Sequence, residues 1–267
     1  MMELLGYALA ILIGVSLGLI GSGGSILTIP ILVYCLDIEP LTATAYSLFI
    51  VGISSLIGGF RKALEGMVDY KVVFYFGIPS IFMVLFTRTF IMPSIPAILF
   101  SDSAFAFSKQ TMVMVLFAIV MLLASASMIR DRPDSNDQFD EPKKFNYLSV
   151  FFKGITLGIV TGMVGAGGGF LIIPTLVISA RMAMKRAIGT SLFIVAFNSL
   201  VGFLGYWEID DKPINWTLLL IFSAFSIIGI FFGAMIAKKM DGEKLKVGFG
   251  WFVLAMGLYI FIREVLL

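Results

Sequence analysis

Histidine is absent from the 267 residues, cysteine occurs once, at Cys35, and charged residues make up only 13% of the chain. Each shortage excludes a class of chemistry. Without histidine there is no imidazole base and no His/Cys zinc set, and one thiol cannot close a disulfide within the chain. Soluble domains carry roughly 25% charged residues, so a chain with half that share cannot cover a large water-exposed surface. Nineteen basic and 17 acidic residues leave a net charge of +2, which gives no reason to expect nucleic acid as a partner. No basic leader with a small-residue cleavage site precedes the apolar stretch beginning at Leu4, so the N-terminus is expected to belong to the mature fold. No metal or other cofactor is called for, and no catalytic residue is assigned.

What the chain does have is apolar length. Apolar residues are 59% of it and the mean hydropathy is +1.02, with long stretches apolar on every side, as in a helix whose solvent is lipid. The expected class is an all-α polytopic membrane protein. Its segments fall at 4–36 (broken at 21–25), 41–60, 72–92, 110–129, 148–180 (broken at 165–169), 186–206, 215–237 and 245–266. One phrase occurs twice, 144 residues apart and without a gap: GLIGSGGSILTIPIL at 18–32 and GMVGAGGGFLIIPTL at 162–176. Thr44–Val51 lies over Ile188–Val195 in the same register. Residues 1–129 and 148–267 therefore read as two copies of one four-segment unit, joined by a charged, Pro- and Asp-containing linker at 130–147.

The positive-inside rule sets the orientation. Basic clusters at Arg61-Lys62-Lys71, Arg130-Arg132-Lys143-Lys144-Lys153, Arg181-Lys185-Arg186 and Lys238-Lys239-Lys244-Lys246 are expected in the cytoplasm. The connections around Asp37 and Glu39, Asp102 and Lys109, and Glu208–Lys212 then face outward, as do both termini. The linker and the Arg181 turn fall on one side although more than thirty apolar residues separate them. That segment must enter and return, as a re-entrant hairpin with GAGGG at its tip and arms about 25 Å and 16 Å long. Its twin, with GSGGS at the tip, dips in from the opposite face. Each repeat is thus a Gly-broken hairpin followed by three transmembrane helices, and the two repeats are inverted.

Non-helical backbone at membrane depth is tolerated only where protein buries it or it lines an aqueous cavity. The glycine tips therefore predict a polar cavity into which the following helices point their N-termini, an arrangement that favours an anion. The substrate-binding candidates are Gly21, Ser22, Gly23, Gly24 and Ser25 at one tip and Gly165, Ala166, Gly167, Gly168 and Gly169 at the other. Pro30 and Pro174 are expected in the first turns of the return arms. Thr44, Ser47, Thr190 and Ser191, just beyond each hairpin, carry hydroxyls that could face its tip, although such hydroxyls also bond back to their own helix. Asn198 is either glue between helices or substrate-facing. Gly-x-x-x-Gly spacing at Gly14/Gly18 and Gly158/Gly162 is given to helix packing, and Cys35 to packing as well. Arg88 is read as snorkelling to the outer interface, with substrate attraction at the outer mouth as its sharper role. No acid inside a span can relay protons, Glu264 lying near an end.

With its duplicated glycine phrases each followed by Pro30 or Pro174, the AIGTSLF stretch at 187–193, the DY/NW echo at 69–70 and 215–216, and the polar linker, the chain resembles the TauE/SafE family of sulfite exporters and anion permeases of bacterial and archaeal membranes. The first copy departs from the second in having Ala45-Tyr46-Ser47 where Gly189-Thr190-Ser191 stands. The resemblance implies a multi-pass protein of the bacterial inner membrane that moves sulfite or small organosulfonates such as sulfoacetate, generally outward. Its partners would be a small anionic substrate and the lipid bilayer, with monomer and homodimer both open. A passive anion channel on the same scaffold is the alternative. An intramembrane serine hydrolase built on Ser22 or Ser25 lacks a histidine base, and a purely structural subunit leaves the duplicated glycine tips without a use.

Overall fold

The computed structural model describes residues 2–96, 98–102, 105–129, 147–165, 167–179, 182, 184–207, 214–237 and 242–266. The linker expected at 130–147 lies outside these except for Tyr147, where a helix begins. Helix α1 (Met2–Ile20) runs into a tight 3-10 stretch, Gly21–Leu27, then into the short α2 (Thr28–Pro30) and a π-helical turn, Ile31–Cys35. Helices α3 (Pro40–Leu64), α4 (Tyr70–Ser94) and α5 (Lys109–Ile129) complete the first half. The second half comprises α6 (Tyr147–Val164), α7 (Gly169–Ser179), α8 (Met184–Trp207), α9 (Trp216–Ala237) and α10 (Gly242–Leu266). Among the described residues, five helices are long and apolar enough to cross a membrane: α3, α4, α5, α8 and α9.

Two local features depart from the sequence reading. An antiparallel pair, β1 (Ile98–Asp102) and β2 (Phe105–Ser108), sits between α4 and α5, with Phe100 opposite Phe107 and Asp102 opposite Phe105. Phe105-Ala106-Phe107-Ser108 offers no helical period, and Pro93 and Pro96 end the helix before it. Pro174 is not in a first turn but five residues into α7. Prolines inside α4 are absorbed differently: Pro79 and Pro93 each remove an amide donor, and the widened π turns at Val73–Gly77 and Thr87–Ile91 lie where the orphaned carbonyls would be.

The halves are interlocked by reciprocal pairing. Helix α1 packs lengthwise on α9 and α6 on α4, while α3 packs on α8 and α5 on α10. Glycine makes these contacts close. A Cβ at Gly14, Gly18, Gly229 or Gly233 would overlap the backbone carbonyl of Ser226, Ile230, Ile11 or Val15 respectively, which is the small-residue packing expected of the Gly-x-x-x-Gly spacing. Contacts rise in parallel along α1/α9 (Gly14 to Ser226, Gly18 to Ile230) and along α6/α4 (Gly154 to Phe76, Gly158 to Ser80, Gly162 to Val84). They run opposite along α3/α8 (Gly52 to Leu200, Gly59 to Phe193) and α10/α5 (Gly250 to Ile129, Gly257 to Met121). Helices α3 and α8 form the centre, each with 67% of its apolar span buried, against 39% for both α4 and α9. Phe74, Phe82, Phe90, Leu220 and Phe232 stand exposed on those outer helices, as a lipid-facing surface requires.

The same bonds recur across the repeat. Ile38 N–H donates to the Leu32 carbonyl at 3.0 Å and Met182 N–H to that of Leu176 at 3.3 Å, closing each return arm. The DY/NW echo marks helix starts. Asp69 Oδ1 accepts from Lys71 and Val72 N–H, and Asn215 Oδ1 from Leu218 N–H, capping α4 and α9.

Candidate functional site

The second glycine phrase opens into a loop rather than a helix. Gly165, Gly167 and Gly168 take φ of +76°, +67° and +65°, a left-handed run that side chains with a Cβ resist. Gly165 N–H still bonds to the Thr161 carbonyl at 2.8 Å, and the Gly168 carbonyl accepts from Leu171 and Ile172 N–H. The loop is therefore strung between the end of α6 and the N-terminus of α7. Gly169 is buried as the first residue of α7, and Ala166 lies outside the described residues.

Polar side chains from α3, α4, α6 and α8 close around this loop. A Cβ on Gly165 would overlap Arg88 Nη2 and Thr44 Cβ, one on Gly167 would lie 2.5 Å from Ser199 Oγ, and one on Gly168 would overlap Thr161 Oγ1. Arg88, carried on the π turn of α4, is only 3% exposed and is the one charged residue among the described buried ones. Its Nη1 donates to Thr44 Oγ1 at 3.3 Å. Among the described residues its Nε and Nη2 find no acceptor, and Thr161 Oγ1, Ser199 Oγ and Thr87 Oγ1 have no partner either. Arg88 does not snorkel to the outer interface: packing against Gly165 and Gly205 holds the side chain inside the protein. A burial of this kind is costly for an unpaired guanidinium.

The first phrase is arranged differently. Gly21 also has positive φ, +71°, but its missing Cβ faces Ile188 Cγ2 at 2.8 Å, and the chain then winds directly into the 3-10 stretch containing Ser22, Gly23, Gly24 and Ser25. Ser25 is buried and its carbonyl accepts from Thr28 N–H. The side chain of Ser22 is outside the described residues.

The hydroxyls beyond the hairpins divide among several roles. Thr44 does not face the tip of its own half; it reaches Gly165 of the other, and donates to the Leu41 carbonyl at 2.7 Å. Ser191 donates back to the Ile188 carbonyl at 2.9 Å. Thr190 Oγ1 accepts from Asp69 N–H at 2.9 Å, while Ser47 is buried without a partner among the described residues. Asn198 donates to Ser80 Oγ at 2.7 Å, joining α8 to α4, and its Oδ1 is unpartnered among the described residues. Cys35 is exposed rather than packed. Sequence reasoning missed Thr161 and Ser199. Thr161 stands one helical turn before Gly165 and Ser199 beside Asn198, positions a helical reading could have found by looking ahead of the tip as well as beyond it.

Comparison with known proteins bears on what such a site serves. The family model described as "Sulfite exporter TauE/SafE" matches residues 6–260. A "Probable membrane transporter protein" of Xylella fastidiosa is 28% identical, the alignment covering 95% of this chain and 92% of that one. Proteins of the same description from Methanocaldococcus jannaschii and Bacillus subtilis are 26% and 25% identical, with 94% and 89% of each chain covered. No solved structure matches the chain.

Proposed function

The chain belongs to the sulfite exporter TauE/SafE family, and from that premise we propose that it carries small sulfur-containing anions, such as sulfite or organosulfonates, outward across the bacterial inner membrane. Transport proceeds by alternating access around two opposed glycine-tipped hairpins. The observation that carries this reading is the direction of the four reciprocal helix pairings. With α3 taken as running inward, short connections make α4 run outward and α5 inward. Helix α6, parallel to α4, then runs outward, and α8, antiparallel to α3, does the same. Two consecutive helices of one direction call for a return between them, and α7 (Gly169–Ser179) is read as that re-entrant arm. The same logic applied to α1, α9 and α3 makes 21–39 its counterpart from the other face.

Equivalent helices that pair antiparallel, α3 with α8 and α5 with α10, are what a two-fold axis in the membrane plane produces. The tips meet at its centre, Gly21 against Ile188 and Gly165 against Thr44, positions equivalent in the repeat. Rocking of one half against the other would expose a site at such a crossing to each side in turn. The test is solid-supported-membrane electrophysiology on proteoliposomes challenged with sulfite, sulfoacetate, taurine, sulfate and chloride. Currents for sulfur oxyanions that drive a second anion against its gradient are the expected result. Silence with every sulfur anion from folded protein would overturn the substrate class, and strictly downhill flux would replace the carrier with a channel.

A further inference from the structure

We propose that the anion is bound at the second tip alone, with its negative oxygens held by the free edge of the Arg88 guanidinium. This rests on the transport reading above and goes further by naming the ligand group and the chemistry it accepts. In a guanidinium, Nε–H and the adjacent N–H of Nη2 point the same way and form a two-pronged fork that fits two oxygens of one oxyanion. Those are the two nitrogens without partners among the described residues, the third being held by Thr44. Nη2 stands in the space left by the absent Cβ of Gly165, so the fork opens onto the glycine loop. Unpartnered hydroxyls of Thr161 and Ser199 border the same loop and can donate to a third oxygen. One cation with no buried carboxylate among the described residues to neutralise it matches a single negative charge. The ligand is therefore a monovalent, tetrahedral or pyramidal oxyanion of the sulfonate or hydrogensulfite kind, in preference to the dianion sulfate and to chloride, which offers one acceptor atom where the fork matches two.

An unpaired buried charge makes an unusual prediction for stability. Replacing it with an apolar chain of similar length should stabilise the empty protein, whereas an arginine satisfied within the fold would be missed. Purified wild type, Arg88→Lys and Arg88→Met are to be compared by thermal unfolding in detergent, with and without sulfite, methanesulfonate, sulfate and chloride, and by transport in proteoliposomes. The expected result is an upward melting shift of wild type with sulfite and methanesulfonate. Arg88→Met should melt higher than wild type when empty and lose the anion-induced shift. Arg88→Lys, which keeps charge but not the fork, should raise the half-saturating concentration on the order of ten-fold, the loss of one charge-assisted hydrogen bond. A lower melting temperature for empty Arg88→Met, or unchanged half-saturation in Arg88→Lys, would overturn the assignment while leaving transport intact. Arg88-dependent stabilisation by these anions without any transport would uphold the site and overturn the transport reading instead.

Discussion

The two glycine tips are nearly identical as sequence and unlike as chemistry. At the second, Gly165, Gly167 and Gly168 are bordered by Thr44, Thr161, Ser199 and the buried Arg88. At the first, the residues equivalent to Thr44 and Thr161 are Ile188 and Leu17, the one against Gly21 and the other fully buried, and in the register in which Ser226 meets Gly14 as Ser80 meets Gly158 the position matching Arg88 is Ala234. Only Ser55, equivalent to Ser199, keeps an unpartnered hydroxyl among the described residues. The two phrases thus differ in backbone as well as in the polar groups around them, a left-handed loop at Gly165–Gly168 against a 3-10 stretch that winds on from Gly21. Two copies of a hairpin are needed for a pseudo-symmetric rocking motion, but one small anion needs only one set of donors.

The widest gap between the tips should appear when a Cβ is added. Gly168→Ala forces alanine into a left-handed conformation, at about 1–2 kcal/mol, and drives it into Thr161 Oγ1. We expect loss of transport and a fall of several degrees in melting temperature in detergent. Gly21→Ala carries the same backbone cost but meets an isoleucine methyl, so it should lower the melting temperature less and leave the half-saturating anion concentration near wild type. Equal transport defects in the two variants would mean that both tips touch substrate.

Exchanging the residues at the equivalent positions tests the lining itself. Thr44→Ile gives the second tip the first tip's residue and removes the hydroxyl that holds Arg88 Nη1. Its half-saturating concentration should rise roughly ten- to a hundred-fold, since a hydrogen bond to a charged group is worth about 1.5–3 kcal/mol. Ile188→Thr makes the opposite change and should leave the half-saturating concentration unchanged. Improved affinity in Ile188→Thr would show a dormant second site.

Thr161→Val should act more mildly, raising the half-saturating concentration about three- to ten-fold, in line with about 0.5–1.5 kcal/mol for a neutral hydrogen bond. Because its hydroxyl has no partner in the fold among the described residues, the empty protein should keep or gain stability. A substantial loss of stability would mean that the hydroxyl already serves the fold.

How far the sequence led depended on what kind of fact was asked of it. The helices could be placed because lipid as solvent demands continuous apolar length, and the repeat could be seen because glycine and proline punctuate both copies alike. The β1–β2 hairpin could not, since without a gap it lies over 242–252, which is helix in the second half, and a repeat-based reading transfers structure from one copy to the other. Sequence order puts the hydroxyls after each hairpin beside their own tip, whereas the reciprocal packing of the halves sends Thr44 to the opposite one. Arg88 shows the same limit. Its position along α4 suggests an end-of-helix cation, and only the packing of α4 against α6 and α8 reveals that it faces inward toward Gly165 and Gly205. Tertiary partners, not helical position, decide which face of a membrane helix is a site.

The departure at Tyr46 and Thr190 supplies the smallest test. These equivalent positions look like a loss of pattern, yet the two hydroxyls act alike, since Tyr46 accepts from Asn215 N–H at 2.8 Å and Thr190 from Asp69 N–H at 2.9 Å. Each thereby fixes the capping residue at the start of the other half's outer helix, and the Thr190 oxygen, a substrate-binding candidate from sequence, serves here as an acceptor within the fold. Tyr46→Phe and Thr190→Val should both cost about 1–2 kcal/mol of stability, the penalty for orphaning a backbone donor. Both should leave the half-saturating anion concentration within about two-fold of wild type. If Thr190→Val weakens anion affinity while Tyr46→Phe does not, the polar lining extends beyond the four side chains around Gly165–Gly168. If neither does, the asymmetry of the tips lies in Thr44, Thr161 and Arg88, and the two halves share their scaffold contacts even where their residues differ.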